Sequence, residues 1–206
     1  SGSGKTTLVK LLLGYFAPTS GNIFLGDTPL QDYDMTSWRH SCGVVLQDSH
    51  VFSESLARNI AVEDKHIDRT RLRTAARQAN LEEFIEKLPL KYQTMVGAEG
   101  VALSRGQEQR IFIARALYKD PSFVFLDEAT NSLDANNERI ITGNLLDYCK
   151  GRTVLIVAHR LSTIRHADRI VVLHKGRIVE EGPHDELCPR HGYYYELINN
   201  QLIAMG

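Results

Sequence analysis

Apolar and polar positions change rhythm several times along this 206-residue chain, and each change predicts an element. "KTTLVKLLLGYF" reads as a helix that follows a glycine-rich opening and stops at Gly14. "GNIFLGDTPL" predicts a strand and turn, and "CGVVLQD" a buried strand ending in polar residues. From about Ser53 to Tyr118 the pattern turns helical: Leu72, Ala75, Ala76 and Ala79 keep helical spacing, as do Ile111, Ala114 and Tyr118. Two short, continuously apolar runs follow, "FVFL" (123–126) and "TVLIVA" (153–158). Such runs predict fully buried parallel strands with helices on both faces. Ile141, Leu145 and Tyr148 mark a crossover helix between them, "RIVVLHKGRIVEEG" a hairpin turning at Lys175-Gly176, and "YYYELINNQL" a closing helix. The sum is an α/β domain with a helical insertion, without internal repeat or low-complexity linker.

Composition changes this picture little. At 43% hydrophobic and 24% charged residues the chain falls in the soluble globular class. A formal net charge of −1 gives no electrostatic reason to expect nucleic acid. Cys42, Cys149 and Cys188 lie far apart without metal-ligand spacing, so they read as buried or incidental thiols in a reducing compartment. No apolar run approaches the ~18 residues of a membrane span, and no signal peptide opens the chain. Any membrane role must come through a partner or through further sequence.

The chemistry begins at once. "SGSGKTT" holds Gly2 and Gly4, which let backbone approach an anion, Lys5, which can reach terminal phosphates, and Thr6, which can hold a magnesium ion. Successive N–H groups in such a turn form an anion nest, backed by the positive end of the following helix. A flexible serine-glycine tail has no reason to run straight into Lys-Thr-Thr and an apolar helix. The pattern G-x-x-x-x-G-K-S/T places its first glycine before Ser1, so the chain reads as cut within its own phosphate loop. "FVFLDE" is the second element. Asp127 leaves a strand where Mg²⁺ would sit, and Glu128 follows on the other side to polarise the water that attacks a γ-phosphate. The third is "LSRGQEQRIFIARAL", in which Ser104 is an N-cap candidate for a strongly amphipathic helix.

These motifs in this order resemble the nucleotide-binding domain of an ABC transporter over essentially the whole chain. "SGSGKTT" is similar to Walker A, "VVLQD" to the Q-loop with Gln47, and "LSRGQ" to the family signature. "FVFLDE" is similar to Walker B, "NSLD" to the D-loop with Asp134, and "IVAHR" to the switch region with His159. "VFSESLARNI", "HRLSTIRHADRIVVLHKGRIVEEGPHDEL" and a tail with Tyr195, Leu197 and Gln201 resemble the exporter branch. The signature stretch leans toward bacterial peptide or toxin exporters.

The resemblance implies a P-loop NTPase (RecA-like) core sheet whose N-terminal strands are missing here, with 1–50 and 119–206 as the core and 51–118 as an inserted helical signature subdomain. It implies ATP as substrate and Mg²⁺ as cofactor. Gly2, Ser3, Gly4, Lys5, Thr6 and Thr7 would wrap the phosphates. Thr6, Gln47 and Asp127 would organise Mg²⁺, Glu128 would act as general base, and His159 would contact the γ-phosphate. Ser104, Arg105, Gly106 and Gln107 would face the ATP of a second nucleotide-binding domain in a head-to-tail homodimer, with Asp134 crossing the same interface. A transmembrane domain, on the same chain or a partner, would place the motor at the cytoplasmic face of the inner membrane. The adenine-stacking aromatic, and any papain-like peptidase domain, would lie upstream of Ser1.

Departures are few. Arg105 stands where the signature usually has glycine, so close approach there rests on Gly106. Met95 and Ala98 stand where exporters often have glutamates, in the loop that touches the membrane domain. The alternative is a soluble ABC-type ATPase acting on DNA or ribosomes, and a third reading is a catalytically silent regulatory cassette. The compact interval between Gln47 and Ser104 and the absence of basic excess speak against the second. Glu128 and His159 speak against the third.

Overall fold

Helix α1 (Lys5–Leu12) is the first element in the computed structural model, which describes residues 3–62, 64–158 and 161–204. It ends as expected at Gly14, left-handed at φ 67°, whose N–H bonds Leu11 O at 3.0 Å while Tyr15 N bonds Lys10 O at 2.9 Å. This Schellman pair satisfies the carbonyls a helix end leaves open. The predicted strand and turn form a small antiparallel ladder, β1 (Phe24–Leu25) with β2 (Thr28–Pro29). These elements belong to one compact unit, residues 1–32 with 156–206; residues 33–155 form a second.

The second unit carries α2 (Met35–His40), β3 (Cys42–Val45), α3 (Leu56–Ile60), α4 (Arg69–Gln78), α5 (Glu82–Glu86), α6 (Arg105–Tyr118), β4 (Phe123–Asp127) and α7 (Ala135–Tyr148). β3 and β4 pair in parallel with Val45 opposite Leu126, and β5 (Thr153–Val157) takes the other side of β4. In β4, Val124 through Asp127 are all buried, as its apolar run predicts. β5 departs from prediction, because only Val157 is buried. Its position outside β4 leaves it half-covered, and an apolar run alone does not distinguish a central strand from an outer one.

α4 buries Leu72, Ala75 and Ala76 as its spacing predicts. α6 differs from the amphipathic helix expected. Ile111, Phe112, Ile113, Ala114, Ala116, Leu117 and Tyr118 are all buried, because α3, α4 and β3 pack around its second half. Burial of Ile111, Ile113 and Leu117 contributes about 1.5–3 kcal/mol each. The one charged residue among them, Arg115, donates Nε to Asn59 O at 2.8 Å and lies over the rings of Phe52 and Phe112. Burial pulls its pKa down to about 10.

The first unit closes with α8 (Leu161–Ile164), β6 (Ile170–His174), β7 (Arg177–Gly182), α9 (His184–Leu187) and α10 (Tyr193–Ala204). β6 and β7 form the predicted hairpin, turning at Lys175 (φ 48°) and Gly176 (φ 76°). Two consecutive positive φ values fit the twist of a two-residue hairpin. Ile170, Val172, Leu187, Tyr194 and Ile198 make its core.

Candidate active site

α1 begins at Gly4, which is left-handed at φ 90° and offers no side chain to cap the helix. A residue with a Cβ is strained in that conformation. The first turn holds no acid, and the N–H groups there have no partner within the helix. Lys5 Nζ donates to Ser3 Oγ at 3.0 Å, which folds the ammonium back over the loop. Thr6 is half-buried beside it and Thr7 is exposed. An uncapped helix start with an adjacent cation suits an anion with several oxygens. Gly2 and His159 lie outside the described residues.

In the second unit, the parallel register brings two expected residues to one edge. Gln47 lies two positions beyond Val45 and Asp127 one position beyond Leu126, at the carboxyl ends of neighbouring strands. Gln47 stands exposed at the corner of a turn closed by Leu46 N to Ser49 Oγ (3.2 Å) and Ser49 N to Leu46 O (3.1 Å). Asp127 is 1% exposed, and neither carboxylate oxygen has a hydrogen-bond partner. Burying a carboxylate without partners is costly, and a cation would supply the missing partner. A hard divalent ion with oxygen ligands fits this donor, and the Gln47 amide oxygen at the same strand edge is of the right type.

Glu128 goes to different surroundings. It is half-exposed, its backbone is left-handed at φ 55°, and its Oε2 accepts from Asn131 Nδ2 at 2.8 Å. A non-glycine residue in that region carries strain of about 1–3 kcal/mol, and such strain gathers at functional sites. Here it turns Glu128 out of the strand while Asp127 stays in. Sequence reasoning missed Asn131, which holds the carboxylate.

The signature and the D-loop are also brought together. Ser104 caps α6 in a reciprocal box: Gln107 N donates to Ser104 Oγ (3.2 Å) and Ser104 N donates to Gln107 Oε1 (2.8 Å). Arg105 is the first helical residue, exposed and without positive φ, so its position has no backbone need for glycine. Gly106 has no positive φ either, but it is crowded: a Cβ there would stand 3.3 Å from Ser132 O, so the D-loop backbone lies close to the signature turn. Asp134 caps α7, accepting from Asn136 N (3.1 Å) and Asn137 N (3.0 Å). The bonds from Asn137 hold its carboxyl below the usual aspartate range. Asn80, Arg110 and Asn137, which link these two loops, were not anticipated. One signal was available, since an asparagine directly after a helix ("RQAN") is a common left-handed stop.

The site thus defines a P-loop nucleotide-binding domain with its signature and D-loop assembled on one unit, and this chain belongs to the ABC transporter family, whose model matches residues 1–131. It is 46% identical over 197 residues to the ATP-dependent lipid A-core flippase of Chromohalobacter salexigens, covering 96% of this chain and 34% of the relative. The enzyme of that name from Legionella pneumophila subsp. pneumophila is 47% identical over 212 residues, covering 99% and 36%. Among solved structures, a bacterial Atm1-family ABC exporter with ATP bound matches with a TM-score of 0.93 at 38% identity, covering 98% of this chain and 36% of that one. The chain therefore spans about a third of the length of these relatives. No helix among the described residues is long and apolar enough to cross a membrane.

Proposed function

We propose that this chain is the ATP-binding and ATP-hydrolysing motor of an ABC exporter. The observation that carries the reading is the end of β4: a buried, unpartnered Asp127 followed by a strained, half-exposed Glu128, in a chain of this family. Asp127 would hold Mg²⁺, with Thr6 and Gln47 as further oxygen donors. When bound, Mg²⁺ neutralises charge on the β- and γ-phosphate oxygens. The amides at the start of α1 and Lys5 bind and orient the triphosphate, and Glu128, fixed by Asn131, accepts the proton of the attacking water. His159 contacts the γ-phosphate.

The remaining assignments belong to the same proposal. Residues 51–118 form the helical subdomain and 1–50 with 119–206 the core. Two such domains close head to tail, so that Ser104, Arg105, Gly106, Gln107 and Asp134 meet the partner's nucleotide and interface. A transmembrane domain places the motor at the cytoplasmic face of a bacterial inner membrane, and no nucleic acid is involved. The flippase names among the relatives favour a lipid cargo over the peptide or toxin suggested by the signature stretch. They also favour transport over a DNA- or ribosome-associated role.

The test is Glu128→Gln in the intact protein. ATP binding is kept while turnover falls by ~10²-fold or more, the scale of a general-base contribution. Turnover within a few-fold of the parent removes Glu128 from the role.

A further inference from the structure

We infer that Arg110, Asn80 and Asn137 are positioning residues: their chain of hydrogen bonds, closed by a packing contact between Gly106 and Ser132, makes the signature turn and the D-loop one rigid piece for ATP hydrolysis. The inference rests on the ATPase reading above.

The circuit starts at Arg110, one turn into α6. Its Nε donates to Gly106 O at 3.2 Å and its Nη1 to Asn80 O at 2.6 Å. Asn80 stands just past α4 at φ 53°, where Asn80 N bonds Arg77 O (3.0 Å) and Leu81 N bonds Ala76 O (2.8 Å). That pair fixes the direction of its carbonyl and of its Cα–Cβ bond. Asn80 Nδ2 then donates to Asn137 Oδ1 at 2.8 Å, and Asn137 Nδ2 donates to the Asp134 carboxylate. The loop closes where Ser132 O lies against Gly106.

Three chain segments, distant in sequence, are joined in this ring: the end of α4, the start of α6, and the D-loop with the start of α7. Buried apolar side chains already hold α4, α6 and α7 together. The hydrogen bonds of the ring add orientation, because each needs its donor and acceptor in one geometry. Orientation is what the chemistry requires: donors facing a reacting phosphate tolerate only about half an ångström of error. Burial lowers the Arg110 pKa, with the charge of Asp134 partly opposing the shift. With its guanidinium partly desolvated, Arg110 depends on these partners. Any shift of the D-loop is thereby passed to the signature of the same chain.

The test uses the intact protein and two single variants. Asn80→Gly keeps the left-handed backbone and the carbonyl that Arg110 uses, deleting only the amide link. Asn137→Ala opens the ring from the other side. Asn144→Ala is the comparator: it cuts Asn144 Nδ2 to Gln78 O (2.9 Å), a tie between the same two helices outside the ring. In each ring variant kcat for ATP falls about fivefold or more, KM for ATP and Tm stay at the parent's values, and the double variant is no worse than the poorer single. Asn144→Ala keeps the parent's kcat. Unchanged kcat in both ring variants, effects that multiply in the double, or an equal loss in Asn144→Ala overturns the proposal. Glu128→Gln, run alongside, separates the two claims. Turnover that ignores Glu128 sinks the ATPase reading, whereas turnover that needs Glu128 but ignores Asn80 and Asn137 sinks only the ring.

Discussion

Two helices in this chain start where phosphate is expected, and their starts are built in opposite ways. α1 begins at Gly4 with no side-chain cap, no acid in its first turn and Lys5 alongside. α6 begins at Ser104 inside a capping box, with Glu108 in its first turn. An anion at α1 adds hydrogen bonds to an unfinished helix end. An anion at α6 must replace bonds that Ser104 and Gln107 already make, so its net gain is smaller. The difference suits one helix that holds its own nucleotide firmly and another that engages a partner's nucleotide reversibly.

The sharpest way to break this comparison is at α1. Lys5→Ala removes the cation beside the open amides, and ATP binding weakens by roughly tenfold to a hundredfold, the range for hydrogen bonds to charged groups. Titration with a fluorescent ATP analogue reads this, and an unchanged Kd means α1 is not the main phosphate site. At α6, Ser104→Asp separates the cap from the phosphate contact. Aspartate caps as well as serine, so Tm is kept, but its charge repels phosphate and turnover falls about tenfold. Turnover equal to the parent's would reduce Ser104 to a cap. Ser104→Ala lowers stability by about 1 kcal/mol, measured by urea unfolding.

Smaller effects sharpen the contrast. Arg105 is exposed and helical, so Arg105→Gly removes a favourable charge and adds at most about 1 kcal/mol of helix cost. ATPase activity changes by less than about tenfold, and complete loss would make Arg105 a required phosphate ligand. The smallest effect lies in the sheet. Cys42 is 1% exposed and burial pushes its thiol up to about 11. Below that pH the native protein leaves it protonated, so iodoacetamide at pH 8 labels Cys42 only after denaturation. Rapid native labelling would show that β3 opens readily.

Much of the frame was legible in the chain. Helical spacing located α4, Gly14 marked the end of α1, and Lys175-Gly176 marked the hairpin, because each signal acts over a few neighbouring residues. The motif residues were legible as types: Asp127 at a strand end, Ser104 before a helix, Asp134 before another. The exposure of β5 and the all-round burial of α6 were not, since both depend on which elements pack nearby. Nor was the left-handed backbone of Glu128 legible, because no turn signal in "FVFLDE" marks it.

By itself, then, the sequence determined which residues could do chemistry and which short segments would become helix or strand. Periodicity, caps and turn residues are local, and the phosphate loop, Gln47, Asp127, Glu128 and Asp134 are read one by one. Tertiary structure alone decided that both Asp127 oxygens are buried without partners, that Ser132 O presses on Gly106, and that Arg110, Asn80 and Asn137 join two loops. These contacts link residues separated by as many as 57 positions, as between Asn80 and Asn137, and hydrogen bonds at that range leave no periodic trace in the chain. They form only when packing brings their donors and acceptors within reach.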